Sequence, residues 1–354
     1  MPRPKLHRSI CDCLDCTIVP TSLSAVSSAA RQEPPPKCLV IYTDHDWPLG
    51  EDETAAKPLS EYENVPHLDL LAKAGSCGVI LYREAPDGNL SLTSQLLHQR
   101  PSHDLAAPRQ LRERFNNLQT GFMSTAPQAC LLAEEAGMQV LPLLCTSEAQ
   151  GLPVPKGLSG WPPPDIMAQT IMTALGFNGD TVDGISSLQD LTPATNDDDA
   201  IDLLFLHVAW DETGGGKGCS SSAALHHWLD GILRLLLQHS TFSSSVLAAI
   251  LLRNQQTDAT LQTSSQGAVF EAEDFPRVIR PQQSHCISNM QPVSLCLSQS
   301  SLIIQHLPGV VRRDHVQTLS CSEIRMHGGA GCILAEHVLP ELAYKLGRAA
   351  KYGA

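Results

Sequence analysis

From Cys38 onward, short apolar runs alternate with amphipathic stretches. Cys38–Thr43 (CLVIYT) is apolar almost throughout and stops at Asp44. A continuous run of strand length followed by polar residues predicts a strand buried on both faces. Val65–Ala74 then places Leu68, Leu71 and Ala72 at helical spacing, with Pro66 in the first turn and Gly75 just beyond the last. Proline is tolerated where a helix begins and glycine where it stops. Cys77–Tyr82 (CGVILY) is the next strand, which completes a β-α-β unit. The same reading predicts helices over Ala126–Ala136, Asp165–Leu175, Ser222–Gln238 and Leu334–Leu346. It predicts strands over Met138–Leu144, Ile201–Val208, Val246–Leu252 and Val293–Leu297. Gly151–Pro164, Thr181–Asp199 and Asn254–Gly267 carry no apolar period and read as loops. Strands alternating with helices imply an α/β fold with a largely parallel central sheet and helices on both faces. Ligands of such sheets sit at the carboxyl ends of the strands. The residues that follow each strand are therefore where function is sought.

Composition narrows the classes. The 354 residues allow one large domain or two modest ones. A net charge of −13 argues against nucleic-acid binding through a general basic surface. A phosphorylated ligand would need a local basic pocket working against that field. No apolar run reaches the ~18 residues of a membrane span, so a soluble chain without membrane contact is expected. The 12 cysteines are scattered rather than framed, which favours a reducing, intracellular compartment. Residues 1–37 hold Arg3, Lys5, Arg8 and Arg31 among many Ser and Ala and end in a Pro-rich hinge. This segment reads as a disordered tail, with an organelle transit peptide as the alternative. The location is then cytoplasmic or, if the tail is a transit peptide, plastid or mitochondrial. Cys11, Cys13 and Cys16 form C-x-C-x-x-C, but no second ligand pair accompanies them. Residues 38–354 are expected to form a single domain.

The strand ends, taken in order, make a pattern. Lys57–Gly78 reads KPLSEYENVPHLDLLAKAGSCG, Gly88–Leu96 GNLSLTSQL, and Thr120–Pro142 TGFMSTAPQACLLAEEAGMQVLP. Ala200–Gly216 reads AIDLLFLHVAWDETGGG, Gln291–Leu295 QPVSL, and the closing stretch from Ser322 holds MHGGAGCILAEHVLPELAYKLGRAAKYGA. Together, and in this order, these segments resemble the archaeal-type cofactor-independent phosphoglycerate mutases of the alkaline phosphatase superfamily. The resemblance runs from about Cys38 to Ala354 and implies an alkaline-phosphatase-like fold.

The resemblance also implies a chemistry. In that superfamily two divalent metals flank a nucleophile that is transiently phosphorylated, because paired cations clamp the attacking and leaving oxygens. Asp44 matches the family's first metal ligand and Asp211 a second; Asp46 and His285 lie close enough in sequence to assist. The other positions depart from the pattern. Ala85 stands where the family has its nucleophilic Ser, Gly215 where it has a ligand His, and Arg253–Asn254 where it has an Asp-His pair. Ser288 falls near the last His. An arginine puts positive charge where a cation would sit. The stretch between Ala85 and Thr120 is too short for the family's cap domain. It holds instead the basic residues His98, Arg100, His103, Arg109, Arg112 and Arg114, a solvated face or a phosphate or acidic-partner site. Ser91 and His207 match packing or strand positions and receive no role. GGGKG at Gly214–Gly218 lacks the G-K-[ST] of a phosphate loop, and no G-x-S-x-G elbow supports a Ser/His/Asp triad.

Three readings follow. The first is a catalytically degenerate relative of the mutases that binds or regulates. The alternative is an active metal-dependent phosphatase or phosphomutase using Asp44, Asp46, Asp211 and His285, with Thr43, Thr93 or Ser91 as nucleophile. The third is an interaction module built on the basic 98–114 segment, with Arg109, Arg112 and Arg114 at its centre. No cofactor is assigned; any metal is expected to be Mn or Zn. The ligand classes in view are a phosphorylated small molecule and an acidic protein.

Overall fold

The computed structural model describes residues 36–44, 65–83, 92–97, 111–142, 161–177, 200–209, 220–254, 287–288, 291–292 and 295–350. All of them lie in the unit Pro35–Ala354. The strands are β1 (Lys37–Thr43), β2 (Ser76–Arg83), β3 (Thr120–Ser124), β4 (Gln139–Val140), β5 (Leu203–Val208), β6 (Val246–Asn254), β7 (Ile287–Ser288), β8 (Gln291–Pro292), β9 (Leu295–His306) and β10 (Gly331–Leu334). The helices are α1 (Pro66–Ala74), α2 (Leu92–Leu96), α3 (Leu111–Arg114), α4 (Pro127–Glu135), α5 (Pro164–Ala174), α6 (Ser220–Gln238), α7 (Ser240–Ser245), α8 (Cys321–His327) and α9 (Val338–Lys345).

The described strands form an eight-stranded sheet in the order β10-β2-β9-β6-β1-β5-β3-β4, with β7 and β8 as a separate pair. Strand β9 runs antiparallel to both β2 and β6; the other pairings in the large sheet are parallel. Alternate residues of each central strand feed two cores. Leu39, Ile41, Leu204 and Leu206 meet α1, α5, α6 and α8 on one face. Val40, Leu203, Phe205 and Phe122 meet α2, α3, α4 and α9 on the other. The expected α/β architecture with helices on both faces is what the chain forms.

Several details differ from the sequence reading. The late strand continues to His306, and it is antiparallel. Leu334 ends strand β10 rather than starting a helix; a 3-10 turn over Ala335–His337 leads into α9. Strand β4 is two residues long, because Pro142 lacks the N–H that a continuing ladder needs. Strand β3 is additional to the sequence reading: Thr120–Ser124 is short and holds only Phe122 and Met123 as large apolar residues.

Helix α1 has no side-chain cap of its own. Asp230 of α6 supplies one: its carboxylate accepts from the N–H of His67 at 2.8 Å and of Leu68 at 2.9 Å, and meets His67 Nδ1 at 2.8 Å. A carboxylate at the first turn satisfies orphan donors and complements the helix dipole. At the amino ends of the central strands Asp202 performs a similar service. It pairs with Lys37 at 3.1 Å and Arg348 at 3.2 Å and accepts from Gln119 N–H at 3.2 Å.

Candidate functional site

The carboxyl ends of four adjacent strands carry polar residues side by side. In sheet order these are Arg253 on β6, Asp44 just after β1, His207 on β5 and Ser124 on β3. The register makes the row possible: His207 pairs across the ladder with Tyr42 on one side and Ser124 on the other. Arg253 Nη1 donates to the Asp44 carbonyl at 3.0 Å. His207 Nε2 lies 3.5 Å from Asp44 Oδ2, and Nδ1 lies 2.9 Å from Ser124 Oγ. The Ala126 N–H donates to Ser124 Oγ at 3.0 Å.

Aromatic neighbours fix the imidazole. Its ring stacks on Tyr42 with centroids 5.3 Å apart and faces Phe122 at 6.2 Å. The His207 side chain is 3% exposed and that of Asp44 32%, so the row opens to solvent at the carboxylate. Ser124 is half-buried. Beside the row, Tyr82 Oη meets Ser301 Oγ at 2.8 Å. Burial raises the Tyr82 phenol to about 12, against a lowering by its hydrogen bond to Ser301. Burial likewise holds Tyr42 well above its ordinary value, helped by Tyr82 and the Asp44 carboxylate.

The path of the chain marks where a ligand fits. Strand β5 leads into α6 on one face of the sheet, whereas β3 leads into α4 on the other. Ligands of such sheets bind at the carboxyl ends of neighbouring strands whose following helices lie on opposite faces. His207 and Ser124 close two such strands.

Of the sequence candidates, Asp44 is in this row. Asp46, Asp211, His285 and Arg109 lie outside the described residues, as do Ala85, Ser91 and Gly215. Thr43 is fully buried and Thr93 is buried in α2, so neither hydroxyl faces solvent for a substrate to meet. Arg112 is exposed on α3, and Arg114 lies 5.1 Å over the Phe115 ring. Arg112 lines a shallow cleft of about 320 Å³ with Gln119, Thr120 and Gln139. Thr120 and Gln139 begin β3 and β4, so this cleft is on the opposite edge of the sheet from the row. His207, given no role from sequence, is central to the row, and Ser124 is a site residue that the sequence reading does not single out. The available signal was that both residues close apolar strands.

Two divalent cations do not fit the described part of this site. It offers one carboxylate, one imidazole and a guanidinium, and no group of three His, Cys, Asp or Glu converges among the described residues. The fixed positive charge of Arg253 stands beside Asp44, where it opposes a cation.

No protein-family model matches the chain, and no curated protein matches it. Solved structures similar to it include the PH0037 protein from Pyrococcus horikoshii, at 14% identity and TM-score 0.51, covering 90% of this chain and 99% of that one. This is a likeness of fold over essentially the whole of both chains. They also include the alkaline phosphatase from the Antarctic bacterium TAB5, at 9% identity and TM-score 0.40, over 89% of this chain and 99% of that one. A third is the cofactor-independent phosphoglycerate mutase from Thermoplasma acidophilum, at 8% identity and TM-score 0.39, over 88% and 100%.

Proposed function

We propose that this chain is a relative of the cofactor-independent phosphoglycerate mutases that has given up two-metal phosphoryl transfer and acts on phosphorylated ligands by binding alone, as a regulatory or ligand-holding protein. The observation that carries the reading is the contact between Arg253 and Asp44. The family resemblance assigns metal-ligand positions to both, yet Arg253 is a cation and donates to the Asp44 backbone at 3.0 Å. Phosphoryl transfer depends on cations that neutralise charge on the moving group. A guanidinium held by the backbone offers charge but no open coordination position. Ala85, in place of the nucleophilic Ser, supports the same reading.

Elemental analysis of the purified full chain tests it, together with phosphoglycerate and generic phosphoester assays in added Mn. The expected result is substoichiometric metal and no Mn-dependent turnover. Two metals per chain, with turnover lost in Asp44→Ala, would establish the rearranged metalloenzyme instead.

A further inference from the structure

Across β3, β5 and β1, Ser124 Oγ is hydrogen-bonded to His207 Nδ1 at 2.9 Å, and the Asp44 carboxylate lies 3.5 Å from Nε2, an ion-pair distance without a hydrogen bond. We propose that Ser124 is an activated nucleophile for acyl transfer from a carboxylic ester, with His207 as its proton acceptor and Asp44 as the group that orients the imidazole. The inference rests on the reading that Asp44 is not held by a metal.

The hydrogen bond between Ser124 and His207 assigns the protons. If Ser124 donates to Nδ1 over 2.9 Å, the hydrogen on neutral His207 is on Nε2, the nitrogen that faces Asp44. A base in contact with the hydroxyl and oriented by a third group is the arrangement that activates a serine. The Ala126 N–H already donates to Ser124 Oγ and favours negative charge there. Stacking on Tyr42 and Phe122 holds the ring in place, so little reorganisation is needed at the moment of reaction. Access runs the right way, since the base is buried while the hydroxyl is half-buried at the carboxyl end of β3. Helix α4 starts just beyond it without a side-chain cap, which leaves the Gln128 and Ala129 N–H groups to meet an oxyanion.

The step balances without a further reagent than water. Ser124 Oγ bonds to the ester carbonyl carbon while its proton moves to His207 Nδ1, and the carbonyl π pair moves onto oxygen. Collapse breaks the carbon–alkoxy bond, and the alkoxide leaves as alcohol with the proton from Nδ1. Water then gives a proton to the same nitrogen as its oxygen bonds to the acyl carbon; the bond from that carbon to Ser124 Oγ breaks, Oγ takes the proton back from Nδ1, and the carboxylic acid leaves. An uncharged ester needs no paired cations, in contrast to a phosphoryl group.

The test uses a fluorophosphonate probe on the full-length protein in excess EDTA, read by intact mass and peptide mapping. The hydroxyl forms a phosphorus–oxygen bond, and fluoride leaves as the proton passes to His207. The expected result is one adduct, mapped to Ser124, and none in Ser124→Ala. His207→Phe keeps the aromatic stack but removes the base, and should slow labelling at least ~100-fold. Mapping on the unaltered protein stands even if a variant fails to fold. Two results overturn the inference: Ser124 left unlabelled in protein that melts cooperatively, or an unchanged labelling rate in folded His207→Phe. If the unlabelled protein also binds no metal, the nucleophile alone fails. Labelling that appears only with added metal and is abolished by EDTA sinks both this inference and the metal-free reading beneath it.

Discussion

Tyr82 is fully buried, and burial keeps its phenol protonated up to about 12. The unfolded chain ionises tyrosine near 10. Below pH ~10 both states hold the proton, so Tyr82 gives no slope there. Between about 10 and 12 the unfolded state loses the proton while the folded state keeps it, and stability falls as pH rises. Tyr42 acts in the same direction. Urea midpoints measured across this range should fall more steeply in the unaltered protein than in Tyr82→Phe, and equal slopes would count against the buried phenol. Arg253 is the other decisive residue. Arg253→Asp restores the carboxylate that the family resemblance expects and removes the guanidinium from Asp44. Calorimetric titration with Mn²⁺ should show binding at least about tenfold tighter in the variant, since an opposing charge becomes a ligand. Tight Mn²⁺ binding by the unaltered protein would remove the electrostatic argument.

Elements in this fold owe their ends to distant residues. Helix α1 takes its cap from Asp230, 163 residues away from His67. Asp230→Ala strips two N–H groups and the His67 ring of their acceptor, and the loss should be about 2–3 kcal/mol by urea unfolding. Asp230→Asn keeps one acceptor oxygen and should cost roughly half as much. An equal cost in both variants would mean that charge, not hydrogen bonding, sets the helix end. No local pattern announces this cap, although the helix itself was evident from Leu68, Leu71 and Ala72. The strands β1, β2, β5 and β6 were legible for a related reason: burial on both faces demands unbroken apolar runs. Strand β9 was not, because Ser298, Gln299, Ser300 and Ser301 interrupt its apolar residues and its antiparallel partners are far off in sequence. The site divides in the same way. Asp44 and Arg253 stand out because they follow apolar runs. The link between Ser124 and His207 depends on β3 lying next to β5, which is a fact of sheet order that periodicity does not contain.

At the scale of the whole molecule, the row at the strand ends is only as rigid as the strands beneath it. Strand β1 pairs along its full described length with β6, and from Cys38 onward with β5, and apolar cores cover both faces. Opening any of these strands exposes both cores, so their amides should exchange with deuterium only through global unfolding. Among the described residues, the edge strands β4 and β10, of two and four residues, have a partner on one side only. Their amides should exchange much faster. Asp202 joins the starts of β1 and β3 to Arg348 beyond the last helix, and lies buried among these partners. Removing a buried, charge-assisted hub of this kind costs about 2 kcal/mol. That loss is about 30-fold in the unfolding equilibrium. Hydrogen exchange with mass spectrometry on Asp202→Ala should therefore show β1, β5 and β6 speeding up together by about that factor. If acceleration were confined to the amino ends of β1 and β3, the strands would be opening separately. The row from Arg253 to Ser124 would then lack the common scaffold on which its geometry depends.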